Sequence, residues 1–307
     1  MALRDLSVRD RYFSASAAKT GLASKEDYAY CHLVMLGASN NYSFASKFLP
    51  EEIRPHVDAL YAFLRVGDDR VDVSHAGFSS PLAAIEDWEK TYWRAFESGD
   101  SPDPVMRAYL NTALEYEIPA GTMCTYFQAM KEDLVKTRFE NFKELLHYMD
   151  GSAIPVGRAM TYLLGVQEPY DLEEALSGAD ALAIAMQLSN FWRDIGQDWQ
   201  IGRVYLPQDE MHFFQVSEDD LADGKISSNF IELLEFEIMR TQGYYDQARE
   251  GIPMLASGQW GVMSGLLLYE RILHSIRANR YDVFSRRART NLVQKTALIS
   301  KAWLDIH

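Results

Sequence analysis

Asp68-Asp69-Arg70-Val71-Asp72 and Asp194-Ile195-Gly196-Gln197-Asp198 are the stretches of this 307-residue chain whose residue types and spacing could do chemistry. A helix turns about 100° per residue, so Asp68 and Asp72 share a face, as do Asp194 and Asp198, and each stretch offers two carboxylates in one direction. Two such faces turned toward each other make an oxygen-lined site for hard divalent cations. The surroundings extend both stripes. Tyr61, Arg65, Asp68 and Asp72 follow one another at helical spacing, as do Gln187, Asn190, Asp194 and Asp198. The second stripe lies in an otherwise apolar helix with Leu182, Ile184, Met186, Leu188, Phe191 and Ile195. Buried dry and unpaired, its amides and carboxylates would cost several kcal/mol per group, so the stripe is expected to face a cavity holding ions and water. Mg²⁺ keeps several waters and is completed by substrate phosphates, so two facing carboxylate stripes suggest a bound diphosphate. For the first stripe alone, a solvent-facing row with an Arg65 ion pair to Asp68 or Asp69 is an equal alternative.

The elements that must position these stripes read as helices almost throughout, with no alternating strand pattern. Helical periodicity and start signals place helices at 24–38, 50–71, 81–98, 104–116, 120–137, 141–164, 171–195, 229–251, 261–278 and 290–303. The 24–38 helix opens on Ser24-Lys25-Glu26-Asp27 and the 50–71 helix on Leu49-Pro50-Glu51-Glu52, a proline and acids suited to a helix N-terminus. Pro155 is expected to bend the 141–164 helix. Connections are short, and no repeat or long linker interrupts them, so residues 1–307 read as one all-α domain of packed helices.

Composition narrows the function. With 48% hydrophobic residues the chain can bury a sizeable core, and a net charge of −14 argues against nonspecific nucleic-acid binding. Cys31 and Cys124, the two cysteines, read as reduced core thiols. No apolar run approaches the roughly 20 residues of a membrane span, and the first residues lack a signal-peptide core, so a cytoplasmic protein, at most peripheral to a membrane, is expected. The seven histidines show no metal-ligand spacing; His32, His56, His147 and His274 read as packed or surface groups. Of the arginines at 277, 280, 286, 287 and 289, all but Arg286 read as a solvated face.

Taken together, five ordered segments resemble the squalene/phytoene synthase family of head-to-head prenyl transferases. They are Ser39-Asn40-Asn41-Tyr42-Ser43-Phe44 before Leu49-Pro50; Tyr61-Ala62-Phe63 through Asp72; Gly151-Ser152-Ala153 to Val156-Gly157; Asn190-Phe191-Trp192-Arg193-Asp194 through Asp198 with Gly202-Arg203-Val204-Tyr205-Leu206-Pro207; and Tyr269 to Leu273 with Tyr281-Asp282-Val283-Phe284-Ser285-Arg286. The resemblance runs from about residue 28 to residue 296.

It implies an all-α isoprenoid-synthase fold around a central cavity. Asp68, Asp72, Asp194 and Asp198 would hold Mg²⁺, with Mn²⁺ as the alternative ion, and Asp69 and Asn190 would complete the metal set. Arg65, Arg203 and Arg286, with Tyr269, would contact diphosphate oxygens, Gln187 would help shape the metal site, Tyr61 would be a further substrate-binding residue, and Ser39, Tyr42 and Ser43 would line the entrance for the prenyl chain. The implied reaction ionises one prenyl diphosphate, forms a cyclopropylcarbinyl diphosphate and ionises that in turn. The favoured product is phytoene from two geranylgeranyl diphosphates, because Ser46 stands where some C15-using members carry a large aromatic. The alternative is a C30 product, squalene, dehydrosqualene or hydroxysqualene, with NADPH required only by a reductive squalene synthase. A C40 or C30 hydrocarbon would leave through peripheral contact with a membrane. The Gly202–Pro207 segment and Arg286 disfavour a head-to-tail prenyl transferase or terpene cyclase, and the intact carboxylate stripes disfavour a noncatalytic assembly protein. Two departures stand out: Gln197 replaces a common glutamate, and Asp150 replaces an aromatic.

Overall fold

The computed structural model describes residues 22–38, 46–72, 77–287 and 292–306. Among them are thirteen α-helices and no strand. The helices are α1 (Lys25–Ala38), α2 (Arg54–Asp72), α3 (Pro81–Ser98), α4 (Pro104–Glu115), α5 (Cys124–Glu132), α6 (Phe142–Ser152), α7 (Ile154–Leu164), α8 (Leu172–Gln200), α9 (Gln208–Phe213), α10 (Glu218–Ala222), α11 (Ser228–Gly251), α12 (Gln259–Ala278) and α13 (Leu292–Ile306). The short α9 and α10 carry too few residues to show a periodicity and were not expected.

Local chemistry explains most boundaries. Ser80 caps α3 by accepting from the Ala83 N–H, Pro81 follows it, and Gly99 closes the helix at φ 71°. Asp103 caps α4 in the same way, and Asp171 with Glu174 forms a reciprocal capping box at the start of α8. Three expectations need correction. The 50–71 helix begins only at Arg54, after a turn in which the Pro50 carbonyl accepts from Ile53 and Arg54. The 120–137 helix is a short 3₁₀ turn followed by α5, which ends at Glu132. The 141–164 helix is two helices, because Pro155 supplies no N–H and Ala153 leaves helical geometry at φ −128°.

The core has two parts. One gathers the rings of Phe63, Trp88, Tyr92, Tyr109 and Phe127 from α2 to α5, with Phe63 stacked on Tyr109 at 4.2 Å. Each such ring contributes about 1.5–3 kcal/mol of burial, which pins one face of α2 and leaves Tyr61, Arg65 and Asp68 on its partly exposed faces. The other surrounds α8, α11 and α12, with Trp192, Phe230 and Tyr245 fully buried. Helix α8 packs on α7, α11 and α12. Close approach depends on glycine: a Cβ at Gly178 of α8 would lie 2.7 Å from the Gly251 Cα of α11, and one at Gly157 of α7 2.9 Å from the Ala179 carbonyl. Cys31 is buried, its thiol pushed up to about 12 chiefly by burial, whereas Cys124 is exposed and so is not a core thiol. No helix among the described residues is long and apolar enough to cross a membrane.

Candidate active site

Between the two cores lies a cavity of about 280 Å³. Helix α7 gives it Val156, Gly157, Met160 and Leu164, and α8 gives Ala175, Gly178, Ala179, Leu182, Ala183 and Met186. Gly157 and Gly178 are the positions in this wall where a neighbouring helix comes too close for a Cβ. Ser46 also lines the wall, with no bulky group at that position. The stretch of α8 along the cavity, Ala175 to Asn190, is about 22 Å long at 1.5 Å per residue. Its polar lining includes Gln187 and Asn190 of α8 and Tyr269 of α12, so the amide half of the expected stripe faces a cavity, while Asp194 and Asp198 lie beyond its lining.

Asp194 and Asp198 continue that stripe toward the end of α8, which runs five residues past the expected boundary and so keeps both on helix. Asp194 is held by two guanidiniums. Arg193 donates from Nε and Nη2 at 2.8 and 2.5 Å, and Arg287 from the same two atoms at 2.9 Å each. Burial raises the Asp194 carboxyl, but the hydrogen bonds from Arg193 and Arg287 outweigh it and leave the group below its ordinary value. Asp198 goes the other way. Burial first, then the Asp194 charge, push its carboxyl up to about 7, with Arg203, Arg193 and Arg287 opposing. A carboxylate in that position is stabilised in its charged form by a further cation.

Gly196, between the two aspartates, lets the C-terminal segment reach them: a Cβ there would lie 2.8 Å from the Phe284 Cα and 2.9 Å from the Val283 carbonyl oxygen. That contact brings Arg287 onto Asp194. Arg286, the residue singled out by sequence, has a side chain 73% exposed and lies 4.0 Å from Asp282. Arg277 is no solvated residue either, since it pairs with Glu235 at 2.7 Å.

The segment after α8 folds back on the 137–140 strip, with the Arg203 N–H on the Asp198 carbonyl at 2.8 Å and the Val204 N–H on the Thr137 carbonyl at 2.9 Å. Tyr205 stacks on Phe191 at 3.9 Å. These contacts set the Arg203 guanidinium against Asp133 at 2.7 Å, and Tyr148 donates to the same carboxylate at 2.9 Å. Asp133, Arg193 and Arg287 were not found from sequence; none belongs to a stripe, Asp133 and Arg287 reach the site through tertiary contacts, and Arg193 reaches Asp194 as its neighbour on α8.

On α2, Arg65 pairs with Asp69 at 2.6 Å, the ion pair named by the solvent-facing alternative for the first stripe. Arg70 turns away to the Ala84 carbonyl and Asp87 of α3 at 2.9 and 3.0 Å and lies over the Trp88 ring. Tyr61 faces both stripes' surroundings: burial raises its hydroxyl, Arg65 opposes, and Asp68 and Tyr269 add to the rise. Tyr269 is also under the influence of Arg193.

Ser39, Tyr42 and Ser43 lie outside the described residues, and Asp72 is described only as the last residue of α2. Both sequence departures face outward: Gln197 is exposed, and Asp150 is exposed beside His147. Among the described residues no three His, Cys, Asp or Glu groups converge to hold a metal ion by themselves.

The squalene/phytoene synthase family model matches residues 36–294. The chain belongs to the squalene/phytoene synthase family. Its relatives include the 15-cis-phytoene synthase of Synechococcus elongatus, 30% identical over 272 residues that make up 86% of this chain and 88% of that protein. The phytoene synthase of Arthrospira platensis is 31% identical over 284 residues, 88% of this chain and 90% of the relative. The chain spans about two thirds of the chloroplastic phytoene synthase 1 of Arabidopsis thaliana, 66% of its length, at 31% identity over 91% of this chain. Among solved structures, a dehydrosqualene synthase in complex with ligand superposes with a TM-score of 0.82 at 24% identity, covering 92% of this chain and 98% of that one. The squalene synthase HpnC from Alicyclobacillus acidocaldarius gives 0.76 at 27% identity, covering 83% and 95%. For this family member, the all-α fold around a cavity and the prenyltransferase class expected from the resemblance both hold.

Proposed function

We propose that the protein condenses two geranylgeranyl diphosphates head to head to phytoene. The observation that carries the reading is the cavity: a small-residue channel along α7 and α8 that continues at Gln187, Asn190 and Tyr269 into an acidic and guanidinium-rich end. Ser46 in its wall and the phytoene synthases among the relatives support the C20 substrate. The balance is two allylic diphosphates in, two pyrophosphates and two protons out, one proton lost as the cyclopropane forms and one from the final cation, and one C40 hydrocarbon formed.

The donor set suits Mg²⁺, or Mn²⁺ in its place. Asp68, Asp69, Asp72, Asn190, Asp194 and Asp198 are hard oxygen donors, and one or two carboxylates per ion with phosphate oxygens is the usual Mg²⁺ arrangement. When bound, the ion neutralises charge on the departing diphosphate. The remaining work falls to side chains. Arg65, Arg193, Arg203 and Arg287 bind phosphate oxygens with forked donors, with Gln187, Tyr61 and Tyr269 beside them. The apolar wall folds the prenyl chains and keeps water from the allylic cations. Release of a product with no polar group is assigned to peripheral contact with a membrane; the exposed Leu33 and Leu36 of α1 support this.

The C30 reading is kept because a squalene synthase structure is 27% identical over most of the chain. Incubating the purified protein with geranylgeranyl or farnesyl diphosphate and Mg²⁺, with and without NADPH, separates the two by mass spectrometry of the extract. Phytoene without NADPH is expected. A C30 product moves the assignment to the second reading, and absence of pyrophosphate release with either substrate overturns both.

A further inference from the structure

Gly67 sits inside α2, where glycine costs about 1 kcal/mol relative to alanine, so something must require the missing side chain. The requirement is steric. A Cβ at Gly67 would lie 2.0 Å from the Tyr126 hydroxyl oxygen and 3.0 Å from its Cζ. Tyr126 comes from α5, is 2% exposed, and packs its ring among Phe63 and Phe127. Through the gap left at Gly67 its hydroxyl donates to the Leu64 carbonyl at 2.9 Å and also lies 3.5 Å from the Asp68 Oδ1.

The Leu64 carbonyl is the helical acceptor for the Asp68 N–H one turn on, so it does not depend on the tyrosine for a partner. The hydroxyl's second contact is the one with a consequence. A proton shared between Leu64 and Asp68 gives the carboxylate one preferred side-chain orientation, and that orientation sets where the first acidic stripe presents its charge. We propose that Tyr126 is a positioning residue for Asp68: its hydroxyl, admitted to the surface of α2 by Gly67, holds the carboxylate toward the diphosphate site. The proposal rests on the reading of Asp68 as a site carboxylate. Gly67 and Tyr126 act as a pair, one removing bulk and the other occupying the space.

The test compares Tyr126→Phe, Gly67→Ala and the double variant by crystallography, thermal unfolding and steady-state turnover against Mg²⁺ concentration. Tyr126→Phe keeps the ring and removes one oxygen. The wild type is expected to show one Asp68 rotamer and Tyr126→Phe more than one or a different one. With the prenyl diphosphate substrate, kcat falls about tenfold and half-saturation by Mg²⁺ moves upward, the size usual for groups that orient a ligand. Gly67→Ala displaces the hydroxyl and gives the same Asp68 change, and the double variant matches Tyr126→Phe in its Mg²⁺ response, since both substitutions remove one interaction, while the alanine Cβ against the ring Cζ at 3.0 Å lowers its unfolding temperature further. An unchanged Asp68 rotamer in Tyr126→Phe overturns the proposal, as does a lowered unfolding temperature with kcat and the Mg²⁺ response unaltered. Should the wild type release no pyrophosphate, the proposed function fails while the rotamer comparison still decides this one.

Discussion

Asp194 is gripped from two directions, and the two arginines have different origins. Arg193 is its chain neighbour, whereas Arg287 arrives from 93 residues away through the Gly196 contact. Substitution separates them from Arg286. Arg287→Ala is expected to lower kcat/KM by about 100-fold, roughly 2.7 kcal/mol, while Arg286→Ala changes it less than about twofold, measured as pyrophosphate release. Asp68→Asn and Asp194→Asn each remove a carboxylate without changing volume. Each should abolish turnover and leave the far-ultraviolet circular dichroism unchanged; activity retained in both would remove the metal role assigned to them. The carboxylates and the cavity amides were legible from residue type and helical spacing alone, and Tyr269 from the family resemblance. Asp133 and Arg287 were not, because a group that arrives from another element leaves no local pattern, and Arg193 was not, because a residue next to Asp194 in the chain falls outside the helical spacing of the stripe.

Helices α7, α8 and α11 decide the shape of the cavity, and they do so through small residues. Gly178 meets Gly251 so closely that a methyl group must push the helices apart. Gly178→Ala is accordingly expected to cost about 1–3 kcal/mol, a fall of about 2–6 °C in the unfolding midpoint, even though alanine is the better helix former. A rise in the midpoint would show that the contact is slack. Element by element, periodicity located the long helices well, and caps such as Ser80, Asp103 and Asp171 explain why their starts were readable. The failures have local causes: Pro155 breaks a helix rather than bending it, and Pro50 opens a turn rather than α2.

At the scale of the whole molecule, α1 is tied to α4 by the ion pair of Asp27, 4% exposed, with Arg107 at 2.6 Å. The Arg107 hydrogen bond holds the Asp27 carboxyl below its ordinary value, against the cost of burial. A depressed carboxyl stabilises the fold at every pH above its unfolded value of about 4 and loses that contribution as pH falls through the folded value. The unfolding temperature should therefore drop below about pH 4, and Asp27→Asn should lower the folding stability by about 3 kcal/mol at neutral pH while flattening the acid limb. An unchanged acid limb in the variant would assign that loss to other carboxylates. The chain itself determined the all-α class and the two carboxylate stripes, because helical period and residue chemistry are properties of short segments. Only the tertiary structure decided that α8 lines a cavity from Ala175 to Asn190, that Arg287 rather than Arg286 reaches Asp194, and that burial beside a like charge lifts Asp198 to about 7. Those outcomes depend on which distant atoms share a low-dielectric space, and segment spacing carries no record of that.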